Sequence, residues 1–119
     1  MQSMISVEGI DVKARVIPRE RIISAWKVLS AKPFPKVAAL QLKGNDFNRF
    51  IERIKCADDE RREIEEWGRV LSTKGTDACV YETEEFADVD YIILIRENPY
   101  HSLREVLEHE LSHITRGDL

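Results

Sequence analysis

Apolar positions along this chain fall into short runs whose spacing switches between the two-residue period of strands and the 3.6-residue period of helices. Ile5, Val7, Ile10, Val12, Val16 and Ile17 predict a short strand or irregular edge segment within residues 4–17. Pro18 suits the first turn of a helix over about 18–31, where its missing N–H is not needed. Ile22, Ile23, Trp26, Val28 and Leu29 give that helix an apolar side, and Lys32-Pro33-Phe34-Pro35 ends it. Residues 37–42, Val-Ala-Ala-Leu-Gln-Leu, read as a strand closed by a turn at Gly44-Asn45-Asp46, with Asp46 able to cap the next helix.

A long helix or helical pair is expected over about 47–72. Phe47, Phe50, Ile51 and Ile54 form one apolar stripe, and Ile64, Trp67, Val70 and Leu71 form a second. Asp58-Asp59-Glu60 between them reads as a fresh helix N-terminus, where negative charge is favourable. Gly75-Thr76-Asp77 turns the chain into a strand at 78–81, and the strongest strand is expected at about 89–96. Ser102 then opens a helix over about 102–116 as N-cap, with Glu105 completing a Ser-x-x-Glu capping box. Leu103, Val106, Leu107, Glu110, Leu111 and Ile114 continue at helical spacing. Trp26 and Trp67 read as core residues. The element order predicts one α+β domain over residues 1–119, with helices packed on a small mixed sheet.

Composition narrows the class without changing that picture. A chain of 119 residues with 43% hydrophobic and 34% charged residues can bury a core of its own. Its longest strongly apolar run, Tyr91 to Ile95, is too short to span a bilayer, and the N-terminus has no signal-peptide pattern; cytoplasmic location is the expectation. Cys56 and Cys79 form no CxxC pair and read as buried or free thiols. Residues 1–43 carry eight basic and three acidic groups, and the remainder ten and nineteen. Lys13, Arg15, Arg19, Arg21, Lys27, Lys32 and Lys36 lack the density and interleaved aromatics of a nucleic-acid surface and read as a solvated face.

The candidate chemistry lies in His109-Glu110-Leu111-Ser112-His113. Two histidines four apart on a helix are turned by only about 40° from one another, so both imidazoles can reach one metal ion. Glu110, beside the first, is placed to take a proton from water at that ion. Imidazole donors favour zinc.

With its neighbours, Glu108 to Leu119, this segment resembles the active-site helix of zincin metallopeptidases, and most of all the gluzincin side: minigluzincins and SprT-like proteins, with HtpX-type peptidases carrying an acid five residues after the second histidine. The likeness covers residues 89–119. It implies a zincin-like fold and a zinc-dependent peptidase acting on peptide or protein substrates. His109 and His113 would be zinc ligands, Glu110 the general base, and Asp118 a third ligand or the carboxylate partner of a ligand histidine. It also implies that the strand at 91–96 holds an extended substrate by main-chain hydrogen bonds.

The third ligand departs from the family pattern. Gly117 stands four residues after His113 and Leu119 six after, where metzincin-like proteins have glycine at the third and a ligand at the sixth; gluzincins draw a glutamate from a following helix. Asp118, the Leu119 carboxylate, His101 or an upstream acid, or a natural chain continuing beyond Leu119 would each supply the ligand, the last being the favoured expectation. Plainer readings stand beside these: His101 as a surface or capping residue, Glu105 and Glu108 as solvated helix acids, and Tyr81, Tyr91 and Tyr100 as packing residues. The alternative to a working peptidase is an incomplete or latent zincin that serves as a metal-dependent binding module. A YbeY-like RNase ranks lower, because Glu110 and Leu119 stand where that family has glycine and histidine, and the acidic C-terminal part suits RNA poorly.

Overall fold

The computed structural model describes residues 2–7, 9–54 and 78–117. Five strands form one mixed sheet: β1 (Gln2–Val7), β2 (Ile10–Val16), β3 (Val37–Leu42), β4 (Ala78–Glu82) and β5 (Tyr91–Arg96). Three helices are described with them: α1 (Arg19–Leu29), α2 (Gly44–Ile54) and α3 (Leu103–Arg116). The spatial strand order is β1-β2-β3-β5-β4. Only β3 and β5 run parallel; β1 with β2, β2 with β3, and β4 with β5 are antiparallel.

Alternation along the two central strands sorts their side chains to two faces. Val37, Ala39, Ile93 and Ile95 join Ile22, Ala25 and Trp26 of α1 and Val106, Leu107 and Leu111 of α3 in one core. Leu40, Leu42, Ile92 and Leu94 join Val7, Val12 and Ala14 of the first hairpin and Phe47 and Phe50 of α2 in the other. The sheet is thus covered on both faces and buries Ile92 to Ile95 almost completely. That double burial is why the 91–96 segment reads as continuously apolar rather than alternating.

The segment 2–16 is a regular two-stranded hairpin at the sheet edge rather than a single short strand or an irregular segment. Val7 pairs with Ile10, and Gly9 adopts φ +75°, a backbone conformation that glycine enters without a Cβ penalty. Pro18 lies just outside α1, extended at φ −56°, ψ 136°, and the helix stops at Leu29. Its buried side is Ile22, Ala25 and Trp26, while Val28 (60%) and Leu29 (37%) are exposed. Trp26 Nε1 donates to the Lys32 carbonyl at 2.9 Å, tying the following loop to the helix, and Phe34 meets the indole edge-on.

Gly44-Asn45-Asp46 is the first turn of α2, not a turn before it: Phe47 N–H bonds the Lys43 carbonyl at 2.9 Å, and Asp46 pairs with Arg49 at 3.7 Å instead of capping. The second half of the helix expected over 47–72, with Trp67 and Cys56, lies outside the described residues, as do Asp118 and Leu119. No described helix is long and apolar enough to cross a membrane.

Candidate metal centre

α3 carries the motif, and its two ends are defined by side-chain and backbone geometry. Ser102 caps the start: its Oγ accepts from the Glu105 N–H at 3.2 Å, and its hydroxyl lies 3.1 Å from Glu105 Oε1, so the glutamate engages the capping hydroxyl. Gly117 caps the end in the left-handed region at φ 67°, its N–H directed to the carbonyls of His113 and Ile114. Arg104 and Glu108 form a solvent-facing pair at 3.2 Å, and Glu105 is exposed, so these acids are solvated helix residues.

Between the caps, Val106, Leu107 and Leu111 anchor α3 against α1 and the sheet. Glu110 shares this inward side and is only 6% exposed, the one buried charged residue among those described. His113 lies about 60° round the helix from Glu110 and is half-buried; His109 is exposed. The imidazole centroids are 5.1 Å apart with the rings nearly perpendicular, at 87°. Both histidines therefore stand on one flank of α3, at the border between core and solvent, and Glu110 lies on the adjoining inward side.

The electrostatics favour neutral imidazole at His109. Partial burial lowers its pKa from 6.5, and His113, Arg116 and His101 add repulsion of the protonated form. At neutral pH its lone pair is free to act as a ligand. His113 is arranged differently: Arg116 Nη2 lies 3.3 Å from its Nδ1. A guanidinium only donates, so this contact makes Nδ1 the acceptor and leaves the proton on Nε2. Metal binding through Nε2 requires the opposite tautomer, normally fixed by a carboxylate or carbonyl at Nδ1. With Arg116 donating to Nδ1, offering Nε2 to a metal would require that contact to be released. Sequence reasoning misses Arg116, although its three-residue spacing from His113 puts it on the same flank.

His101 is exposed and near enough to act on His109, but no three His, Cys, Asp or Glu side chains converge on a metal position among the described residues. The structure thus brings the rings of His109 and His113 together and sets Glu110 on the same helix, while Asp118 lies outside the described residues. Cys79 is half-buried and packs against the α2-side core. Tyr81 and Tyr91 pack against the two cores, and Tyr100 is 60% exposed, with the Arg96 guanidinium 5.3 Å from its ring centre. Lys13, Arg15, Arg19, Arg21, Lys27, Lys32 and Lys36 are all exposed, but they are divided among β2, α1 and the following loop.

Strand β5 does not have a free edge for substrate: it is bonded to β3 along Tyr91–Arg96 and to β4 along residues 91–95. β4, next to α3, is the outer strand at this end of the sheet. A cleft of about 330 Å³ between α1 and the first turns of α3, floored by Ala25, Leu103 and Leu107, includes none of the motif residues.

Fold and site together define an α+β domain that ends the described chain in a helix with a paired-histidine flank and a buried glutamate. Comparison with protein-family models, with curated proteins and with solved structures found no match.

Proposed function

We propose that this chain is a zinc-dependent metallopeptidase of zincin-like fold, with His109 and His113 as ligands and Glu110 as general base. The observation that carries the reading is the pairing of two imidazoles on one flank of α3, 5.1 Å apart between ring centres, with a glutamate only 6% exposed on the adjoining inward side. A helix stabilised only by packing has no need of a charged residue on its inward side, where taking a carboxylate out of water is costly. Zinc bound there would polarise a substrate carbonyl and acidify a water molecule.

The chain's own groups divide the remaining work. Glu110 accepts a proton from water at its carboxylate and returns it to the leaving amine. His109, whose pKa is lowered by partial burial and by charge repulsion from His113, Arg116 and His101, offers a lone pair at physiological pH. β4, as the outer strand beside α3 among the described residues, supports an extended peptide by main-chain hydrogen bonds, the role that the resemblance to zincins implied for 91–96. Asp118 is a candidate either to complete the ligand set or to replace Arg116 at His113 Nδ1 with the carboxylate that metal-binding histidines use.

One observation favours a second reading. With Arg116 at His113 Nδ1, the described arrangement is that of a latent site, and a chain that binds metal and peptide without cleaving would keep it so. Cleavage of a mixed peptide library by the zinc-loaded chain, abolished by chelator and by Glu110→Gln, supports the peptidase. Zinc and peptide binding without cleavage would support the binding module instead.

A further inference from the structure

We propose that the free edge of β1 is a self-association surface, on which β1 of a second copy pairs antiparallel about a two-fold axis and joins the two sheets. β1 is terminal in the strand order, and among the described residues it is bonded only to β2. Exposed edges are ordinarily protected against pairing by charge, proline, a bulge or very short length. β1 has none of these: Gln2 to Val7 are uncharged, contain no proline or glycine, and pair with β2 in unbroken register over six residues. The opposite edge differs, because β4 ends in Glu82 and leads into the exposed Glu84, Glu85, Asp88 and Asp90.

Backbone geometry then shows what β1 offers. Val7 and Ile10 close a hairpin with two residues between them, and in such hairpins the closing pair exchanges both its hydrogen bonds. By alternation Ser3, Ile5 and Val7 bond to β2, whereas Met4 and Ser6 turn their N–H and C=O groups to the free edge. The side chains favour a like strand as occupant. Ile5 is half-buried at the rim of the α2-side core, and an antiparallel copy centred on it sets Ile5 against Ile5 and extends that apolar row.

On the other face the same register sets Met4, 64% exposed, opposite Ser6 of the second copy. Because Met4 faces Lys13 and Ser6 faces Asp11 within each hairpin, each of the two Met4–Ser6 rows runs from a lysine on one copy to an aspartate on the other. The two-fold axis generates this complementarity twice. Lysine and aspartate stand three strand spacings apart, about 14 Å and beyond the screening length at physiological salt, so the charges do not oppose this register and the Ile5 row with the backbone bonds carries the pairing. A six-residue edge buries far less than the roughly 1,600 Å² of a standard interface, which makes the dimer reversible. α3 packs on β4 and β5, at the far end of the sheet, so pairing through β1 leaves the candidate metal site open.

Sedimentation of the full chain over a concentration series, with chelator present, tests this together with amide exchange. The expected result is a monomer–dimer equilibrium in which the Met4 and Ser6 amides gain protection as dimer forms. Met4→Lys, at an exposed position, and Ser6→Pro, which removes an outward N–H, should each abolish the dimer while Met4→Lys retains the wild-type melting temperature. A chain that stays monomeric up to its solubility limit would overturn the proposal. So would a dimer that survives Met4→Lys with Met4 and Ser6 amides still exchanging freely, or one that requires metal.

Discussion

Glu110 occupies a position that packing alone would give to leucine, since Val106, Leu107 and Leu111 around it are all buried. If its carboxylate is the proton acceptor, Glu110→Gln should reduce peptide cleavage by about 10²–10⁴-fold while leaving zinc bound, because the amide keeps the shape and loses the basicity. Wild-type turnover in that variant, measured beside its zinc content, would remove Glu110 from the chemistry. His109 gives a pH prediction of definite sign. Its folded pKa lies below the 6.5 of a free histidine, so its contribution to stability is fully present above that value and is lost as pH falls through the lowered folded value. An NMR titration of the metal-free chain should place its midpoint below 6.5, and His113→Ala or Arg116→Gln should raise it by removing a source of repulsion. A midpoint at or above 6.5 would contradict this. His109, Glu110 and His113 are legible in sequence because one helical period fixes their relative directions; the Arg116 contact is not, because it depends on a rotamer choice at a long side chain.

At the scale of elements, α3 owes its placement to caps more than to propensity. Ser102→Ala should cost about 1 kcal/mol by leaving the Glu105 N–H without its acceptor, read as a lowered thermal midpoint. Gly117→Ala should cost about 1–2 kcal/mol for a purely conformational reason: a Cβ there meets nothing within 4 Å, but φ 67° is strained for any L side chain. Equal melting temperatures for wild type and the Gly117 variant would show that the left-handed cap is not retained in solution. The boundaries of β3 and α3 are readable because period, cap and breaker agree at each. Gly44-Asn45-Asp46 misleads because turn-forming residues are equally at home in a first helical turn, where the N–H groups have no intrahelical partner to lose. The hairpin is hidden because Glu8-Gly9 interrupts an otherwise continuous alternation, and Val16, exposed at 54%, blurs its inward face. Val28 and Leu29 belong to the buried side of α1 on hydrophobicity, but the loop held by Trp26 and Lys32 leaves them outside.

The whole molecule contains what periodicity along the chain cannot express. Pairing β3 with β5 brings together segments about fifty residues apart, and that choice makes β5 central and β4 the outer strand beside α3. A linear reading singles out 91–96 as the most apolar strand; the same apolarity is what burial on both faces demands, and it removes that strand from any role at an edge. The site shows the same division between local and global information. His109, Glu110 and His113 lie within one helix and can be found there, whereas a third ligand supplied from elsewhere in the chain would have no local signature. Asp118→Ala gives that point an outcome: if Asp118 ligates zinc or replaces Arg116 at His113, zinc affinity should fall by about 10–100-fold in a competition titration with a chromophoric chelator. Unchanged affinity would assign the missing contact elsewhere.

The central claim, that α3 presents a zinc site, is tested most directly by native mass spectrometry of the wild-type chain beside His113→Ala, reading metal content and oligomeric state in one spectrum. One zinc per wild-type chain, lost on substitution of His113 while the chain stays folded, is the predicted result. No zinc on the wild-type chain after supplementation, or equal zinc on both, would contradict it.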